Sequence, residues 1–122
     1  MPVLMTYGIP SFQGTAQTVG AQSKTIVSYP ISQNSVVNLM VYFTAVNSAF
    51  SLAKTGYLVG TALRATGNVI LQSVPIIDAV GSLTSTIGLA ANTGTQNIDV
   101  NITGVLVTTI NWHCVGYPMV IS

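Results

Sequence analysis

The sequence contains very few charged residues. Charged side chains make up 4% of its 122 residues, and glutamate is absent, whereas typical domains carry about 25%. The net charge of +1 provides little electrostatic repulsion between molecules in solution. Three cations cannot form the basic surface that phosphate backbones require, so we expect no nucleic-acid partner. The charged residues are Lys24, Lys54, Arg64, Asp78 and Asp99.

Residues that carry catalytic or metal chemistry are equally scarce. His113 and Cys114 are the only His and Cys, and as neighbours on a strand they point to opposite faces, so they cannot easily share a ligand. The two carboxylates, Asp78 and Asp99, could in principle hydrolyse a glycoside. A surface or interface ion pair with one of the three cations is the favoured interpretation of each. We therefore expect no enzyme activity, no metal and no other cofactor.

Long hydrophobic runs are also missing. The longest nearly apolar run, Val36 to Val46, is about half of the ~20 residues that a membrane-spanning helix needs. No positively charged region precedes the apolar residues at the N-terminus, so we expect no signal peptide. These absences predict that the chain has no membrane partner and is made in a cytosol.

What the sequence does contain is alternation typical of β-strands. Apolar residues fall at every second position in three runs: Val37, Leu39, Val41, Phe43 and Ala45; Ile98, Val100 and Ile102; and Ile110, Trp112 and Cys114. Turn residues recur every 8–12 residues, and no segment shows a helical period. The sequence predicts an all-β antiparallel sandwich of about seven or eight strands.

The middle of the chain has weaker signals. Gly56 to Thr66 alternates, Thr66-Gly67-Asn68 predicts a hairpin turn, and Val69 to Val74 is the predicted returning strand. Ile76 to Ser82 is predicted to be a loop, and Thr84 to Ala90 a weak strand. Nothing in the sequence places its tyrosines together on one face.

We expect much of the surface to be covered by other protein chains, because uncharged surface is poorly hydrated. An extracellular, adhesin-like domain is the alternative. The second face of the long run is only partly polar, so Val36, Met40 and Tyr42 are candidates for contact with another sheet or subunit.

The chain divides into an N-terminal arm or loop, residues 1–23, and a β-sandwich domain, residues 24–122. Ser11 to Ser23 is rich in Gly, Ser, Thr and Gln, which predicts a loop. The arm is either docked over a neighbouring subunit or a flexible terminus. If it is docked, its candidate contact residues are Val3, Met5, Tyr7 and Phe12.

Several short motifs in order resemble a known family. They are T-I-V-S-Y-P-I (Thr25 to Ile31), S-Q-N-S-V (Ser32 to Val36), R-A-T-G-N-V (Arg64 to Val69), I-D-V-N-I-T-G (Ile98 to Gly104) and T-I-N-W (Thr109 to Trp112). This order is similar to that of the small jelly-roll domain of tailed-bacteriophage virion surface proteins, which include capsid decoration proteins and fibre or spike heads. The resemblance covers Lys24 to about Val115.

The resemblance implies a jelly-roll β-sandwich that forms a homotrimer on the outer surface of a virion, assembled in the host cytoplasm. The implied partners are further copies of the chain and the major capsid protein or other virion proteins. The sequence departs from the family by keeping only Arg64 of a charged middle region. Its last turn is also apolar, which predicts that this turn is docked on a partner; the turn residues are Val105, Leu106 and Val107.

The leading hypothesis is therefore a trimeric decoration or cement protein of the capsid. The alternative is a tail or head fibre or spike head that binds a host receptor or glycan. A glycan hydrolase and a small capsid protein of a non-tailed virus are further alternatives. The sequence does not distinguish attachment to the capsid from attachment to the tail.

Overall fold

A computed structural model describes residues 12–72 and 76–122. These residues form nine β-strands and no helix. The strands are β1 (Phe12–Val19), β2 (Ser23–Pro30), β3 (Ser35–Asn47), β4 (Ala53–Arg64), β5 (Ile70–Leu71), β6 (Ile76–Gly81), β7 (Thr86–Asn92), β8 (Asn97–Thr103) and β9 (Thr109–Ile121). The predicted fold class, an all-β antiparallel sandwich, is confirmed.

The strands form two antiparallel sheets. The larger sheet has six strands in the order β1-β9-β3-β4-β5, with β6 also paired to β4, and the smaller sheet has the order β2-β8-β7. The chain passes between the sheets after β1, β2, β6 and β8, whereas β3–β4 and β7–β8 are hairpins within one sheet. This strand order does not establish a jelly roll, which has two Greek keys over eight strands.

The core lies between the sheets, where the alternation of the sequence predicts it. The predicted inner face of β3, from Val37 to Ala45, is at most 3% exposed at each alternate position. Ile98, Val100 and Ile102 of β8 oppose it and are also buried. Strand β9 contributes Ile110, Trp112 and Cys114 to the same core.

Trp112 joins the larger sheet to its edge strand. Its indole Nε1 donates a hydrogen bond of 3.0 Å to Thr18 Oγ1 of β1, and both residues are buried. The Trp112 ring also lies 6.4 Å from the ring of Phe43. One side chain therefore fills core volume and satisfies its only polar group.

The loop prediction for Ser11 to Ser23 is wrong over Phe12–Val19, which pairs with β9 along its whole length. The small residues in this segment permit close packing. A Cβ at Gly14 would meet the carbonyl oxygen of Ile26 on β2. The segment looked like a loop because close approach to the second sheet requires the same small residues that loops use.

Two predictions after the β4 hairpin are also wrong. The returning strand is reduced to Ile70–Leu71, and the segment predicted as a loop forms the edge strand Ile76–Gly81. Gly56 lets this edge strand approach β4, because a Cβ at Gly56 would collide with the backbone of Asp78 and Ala79. A short strand that carries a charge is typical of a sheet edge.

Candidate assembly interface

The outward-facing side of the larger sheet is largely apolar; we call it the outer face. Cross-strand register places its side chains in rows, for example Met40 between Val59 and Tyr117, and Val36 between Leu63 and Ile121. The apolar part of the outer face consists of Val36, Met40, Tyr42, Tyr57, Val59, Leu63, Val115, Tyr117, Met119 and Ile121. These side chains are half-buried or exposed in the single chain.

Charge is nearly absent from the outer face. Among the described residues its one carboxylate is Asp78, which lies on the edge strand β6 opposite Tyr57. The end nearest the β3–β4 loop is polar and carries His113 opposite Thr44. The centre and the other end are apolar, so a partner could cover them with Asp78 as the one carboxylate at the edge of the contact.

The outward side of the smaller sheet, the polar face, is different. It carries hydroxyl, amide and small side chains that bond to one another across strands. Thr25 Oγ1 donates to Asn101 Oδ1 at 2.7 Å, and Asp99 accepts from Ser28 Oγ at 2.7 Å and from Asn92 Nδ2 at 3.1 Å. Such a face exposes little apolar surface. The two outward sides of the sandwich are therefore chemically unlike.

Three tyrosines form a cluster at the centre of the outer face. The ring centroid of Tyr42 lies 5.9 Å from those of both Tyr57 and Tyr117, and Tyr42 is 45% exposed. Tyrosine is enriched in protein interfaces, because a large apolar ring and a hydroxyl reach a partner at low entropic cost. The sequence did not place these residues together.

Asn38 interrupts the apolar surface. It lies between Thr61 and Met119, and its Oδ1 atom is buried with no hydrogen-bond partner among the described residues. Leaving a buried acceptor unpaired costs roughly 1–3 kcal/mol. A donor from a neighbouring chain would remove this cost.

The structure separates the sequence-predicted contact residues into groups. Val36, Met40 and Tyr42 lie on the outer face, as predicted for the second face of β3. Leu106 and Val107 project from the β8–β9 turn, whereas Val105 is half-buried and packs against the core. Val3, Met5 and Tyr7 lie outside the described residues.

Phe12 does not belong with these surface residues. Its ring packs 5.2 Å from Tyr29 and lies over Gly116 at the margin of the core. Any side chain at position 116 would collide with this ring. Phe12 therefore closes one edge of the sandwich, and we remove it from the candidate interface.

Sequence reasoning missed the outer-face residues of β4 and β9. Tyr57, Val59, Tyr117 and Met119 were not singled out, because strand pairing brings them beside β3. One signal was available: Tyr42 and Tyr57 are nearly equidistant from the β3–β4 loop, so a hairpin with that loop sets them opposite each other.

Four of the five charged residues are hydrogen-bonded to neutral groups. Asp99 accepts from a serine and an asparagine of its own sheet, and the expected ion pair across an interface stays a prediction. Lys24 Nζ donates to Gln17 O and Lys54 Nζ donates to Ser85 O, both at 2.7 Å. Arg64 donates to the carbonyl oxygens of Gly67 and Ile31. The cations therefore tie loops and strands together.

Residues 12–72 and 76–122 contain no group of three or more His, Cys, Asp or Glu side chains that could hold a metal ion. The same residues contain no helix that could span a membrane. His113 and Cys114 do lie on opposite sides of β9, with the histidine exposed and the cysteine buried. The sequence-predicted separation of these two residues is confirmed.

Burial raises the pKa of the Cys114 thiol from 9.0 to about 11, although a hydrogen bond with the Gly14 backbone opposes part of this shift. We expect the folded protein to resist a thiolate-specific reagent at pH 8, and the unfolded protein to react fully. Equal labelling rates with and without denaturant would contradict this placement.

Because the unfolded Cys114 thiol ionises at a lower pH than the folded one, the free energy of unfolding is unaffected below pH 9 and falls as the pH rises from 9 towards 11.

Comparison with known proteins finds no matching family model and no matching curated protein. Among solved structures, the crystal structure of the Acinetobacter baumannii phage AM24 tailspike protein is similar, with a TM-score of 0.36 and 7% identity. The similarity covers 90% of this chain and 26% of the tailspike chain. A TM-score below 0.5 does not establish a common fold, so it assigns neither a topology nor an activity here.

Proposed function

We propose that this chain is a bacteriophage virion structural protein that assembles as a homotrimer and decorates or cements the outer surface of the capsid. The observation that carries the proposal is the contrast between its two outward sides. An uncharged apolar face suits burial between subunits, and a polar face suits contact with water. A protein fixed in a particle has one side that stays buried against its neighbours and another side that stays exposed to water.

The outer face is large enough for a stable contact. At ~3.3 Å per residue and ~4.8 Å between strands, the strands of the larger sheet, which hold 54 residues in total, span roughly 850 Å². A standard interface needs about 800 Å² from each partner. Contiguous apolar patches of more than a few hundred Å² on a single chain commonly mark interaction sites.

The number of subunits rests on the family resemblance, because the outer face itself requires a partner without fixing how many copies meet. Around a three-fold axis, one face of each subunit can contact both neighbours. The tailspike similarity is compatible with a virion protein and does not choose between capsid and tail. The proposed further partners are the major capsid protein or other virion proteins.

Two measurements test the proposal. The native mass of the purified protein should be three times the 12.7 kDa of the chain and independent of dilution over the micromolar range. Purified particles should contain the chain in hundreds of copies, because a decoration protein follows the capsid lattice. A monomeric mass, or absence from particles, would contradict the proposal.

The second candidate function is a fibre or spike head that binds a host glycan. A shallow depression of about 340 Å³ on the outer face favours it, because Tyr42, Tyr57 and His113 border it beside Thr44 and Thr55. Aromatic rings beside hydroxyl groups suit a sugar ring. Glycan-array binding by the assembled protein, with only a few copies per particle, would favour this function over decoration. We propose no catalytic role.

A further inference from the structure

Exposed apolar side chains are concentrated at one end of the sandwich, which we call the loop end. They come from the β1–β2 turn, the β3–β4 loop and the β8–β9 turn. Val107 is 100% exposed, Phe50 78% and Leu106 73%. The loop end consists of Val19, Phe50, Leu52, Leu106 and Val107. Leu106 and Val107 were predicted as a docking site from the sequence, whereas the other three residues were not.

Backbone hydrogen bonds join the three loops. Gly20 N donates to Thr108 O, and Gly104 N donates to Gln22 O, each at 3.0 Å, which ties the β1–β2 turn to the β8–β9 turn. Ser48 N donates to Thr109 O at 2.9 Å, which ties the β3–β4 loop to the start of β9. The loop end is therefore one connected surface.

A buried asparagine fixes the β3–β4 loop. Asn47 Oδ1 accepts from Ser51 N at 2.8 Å and from Leu52 N at 3.0 Å, and its Nδ2 donates to Ser51 Oγ at 2.9 Å. Phe50 N donates to Asn47 O at 2.9 Å. These bonds hold Phe50 at the tip of the loop, where its ring is largely exposed to solvent.

Two of the exposed residues have a left-handed backbone. The φ angle is 56° at Phe50 and 60° at Val107. Left-handed conformations suit glycine and asparagine, and a β-branched residue such as valine adopts them only at a cost in free energy. Such strain is concentrated at functional sites, where the rest of the structure holds it in place. Here the hydrogen bonds of the two loops hold these strained residues, and their apolar side chains project outward.

Charge at the loop end has one sign. Lys24 pairs with Ile102 on β8, one position before the strand ends, and Lys54 is the second residue of β4. Both carboxylates of the sequence lie farther from the loops, Asp99 at the middle of β8 and Asp78 opposite Tyr57. Each ammonium group donates to a carbonyl oxygen of the chain, that of Lys24 to Gln17 O and that of Lys54 to Ser85 O. These bonds fix the two charges near the loops without neutralising them, so the loop end complements an acidic surface.

We infer that the loop end docks into an apolar recess with acidic residues at its rim on another protein of the particle. This inference rests on the proposed function and names the partner surface that would hold the trimer on the shell. A rigid apolar surface loses little conformational entropy when it binds a recess of fixed shape. A fluid bilayer would not require strained, fixed tips, so a protein partner is favoured.

The test uses particles that lack the chain, prepared from a deletion phage, and adds back purified protein. The variant is Phe50→Asn with Val107→Gly, because these residues accept a left-handed backbone and remove the apolar side chains without destabilising the fold. We expect binding to particles to weaken roughly tenfold or more, as truncation of a central anchor does. The native mass should be unchanged. The thermal stability should be unchanged or increased.

The control is Thr95→Ala, which removes an exposed side chain from the β7–β8 turn, at the end of the sandwich opposite the loop end and away from the outer face. It should bind particles like the unchanged protein. Unchanged binding by the double variant would overturn this inference alone, whereas failure of the unchanged protein to bind would overturn the proposed function as well. Flotation with phosphatidylserine vesicles, lost in the double variant, would instead assign the loop end to a membrane and overturn the protein partner.

Discussion

Replacing Met40 with lysine should convert the assembled protein into monomers. Met40 lies in the middle of β3 on the outer face, between Val59 and Tyr117. In a single chain, a lysine stem can lie along the apolar surface while its ammonium group reaches water. In an assembly, the same ammonium group from every subunit would be buried, at a penalty of several kcal/mol for each ion.

We therefore expect Met40→Lys to weaken association by at least about a hundredfold, with little change in the thermal stability of the monomer. Sedimentation equilibrium measures both the mass and the association constant. The matched control is Asn101→Lys, which adds the same charge at the middle of the polar face and should leave the mass unchanged. If both variants keep the native mass, the outer face is not the contact between subunits.

The second large effect concerns two neighbouring residues on β9. Trp112→Ala should lower the free energy of unfolding by about 3–5 kcal/mol, because it opens a cavity in the core. It also leaves Thr18 Oγ1, which is completely buried, without its indole donor. A domain has only about 5–15 kcal/mol of total stability, so this variant should be close to unfolding at 37 °C.

His113→Ala is the control, because the next residue on the strand points to solvent. Its effect should stay within about 0.5 kcal/mol, as for other surface substitutions. Urea unfolding should be measured in the Met40→Lys background, since assembly would otherwise add to the apparent stability. Equal losses in the two variants would contradict the assignment of these residues to opposite faces.

The pattern of the sequence predicted the strands that have an unbroken apolar inner face. In β3, β8 and β9 an apolar residue occupies every second position, on the inner face, and Leu39, Val100 and Trp112 are buried as expected. Alternation is reliable there because burial on one face fixes the register, and a shift by one residue would expose the whole core face.

The edge strands could not be predicted in the same way. Strand β1 contains Gly14 and Ala16 where a core strand would carry large residues, because β2 approaches closely at that point. Strand β6 has its pattern interrupted by Asp78 and ends at Gly81. In both, close contact with a neighbouring backbone determines the residue, and a single sequence contains no record of that neighbour.

The candidate interface was predicted only along one strand. Val36, Met40 and Tyr42 were identified from the mixed second face of β3, but their neighbours on β4 and β9 depend on register. The loop-end residue Phe50 was hidden for another reason: a lone aromatic residue in a Ser- and Ala-rich connection has no periodic signal. Its exposure follows from the hydrogen bonds of Asn47, which hold the loop.

Hydroxyl-radical footprinting of the assembled protein tests the central claim most directly, because methionine and tyrosine side chains are readily oxidised when exposed. If the outer face is buried between subunits, oxidation of Met40, Tyr42, Tyr57 and Tyr117 should be slow in the native assembly. The three tyrosines should react several-fold faster in the monomeric Met40→Lys variant, while Phe50 at the loop end reacts equally in both. Rapid oxidation of Tyr42 in the native protein, at the rate found in the monomer, would contradict the claim.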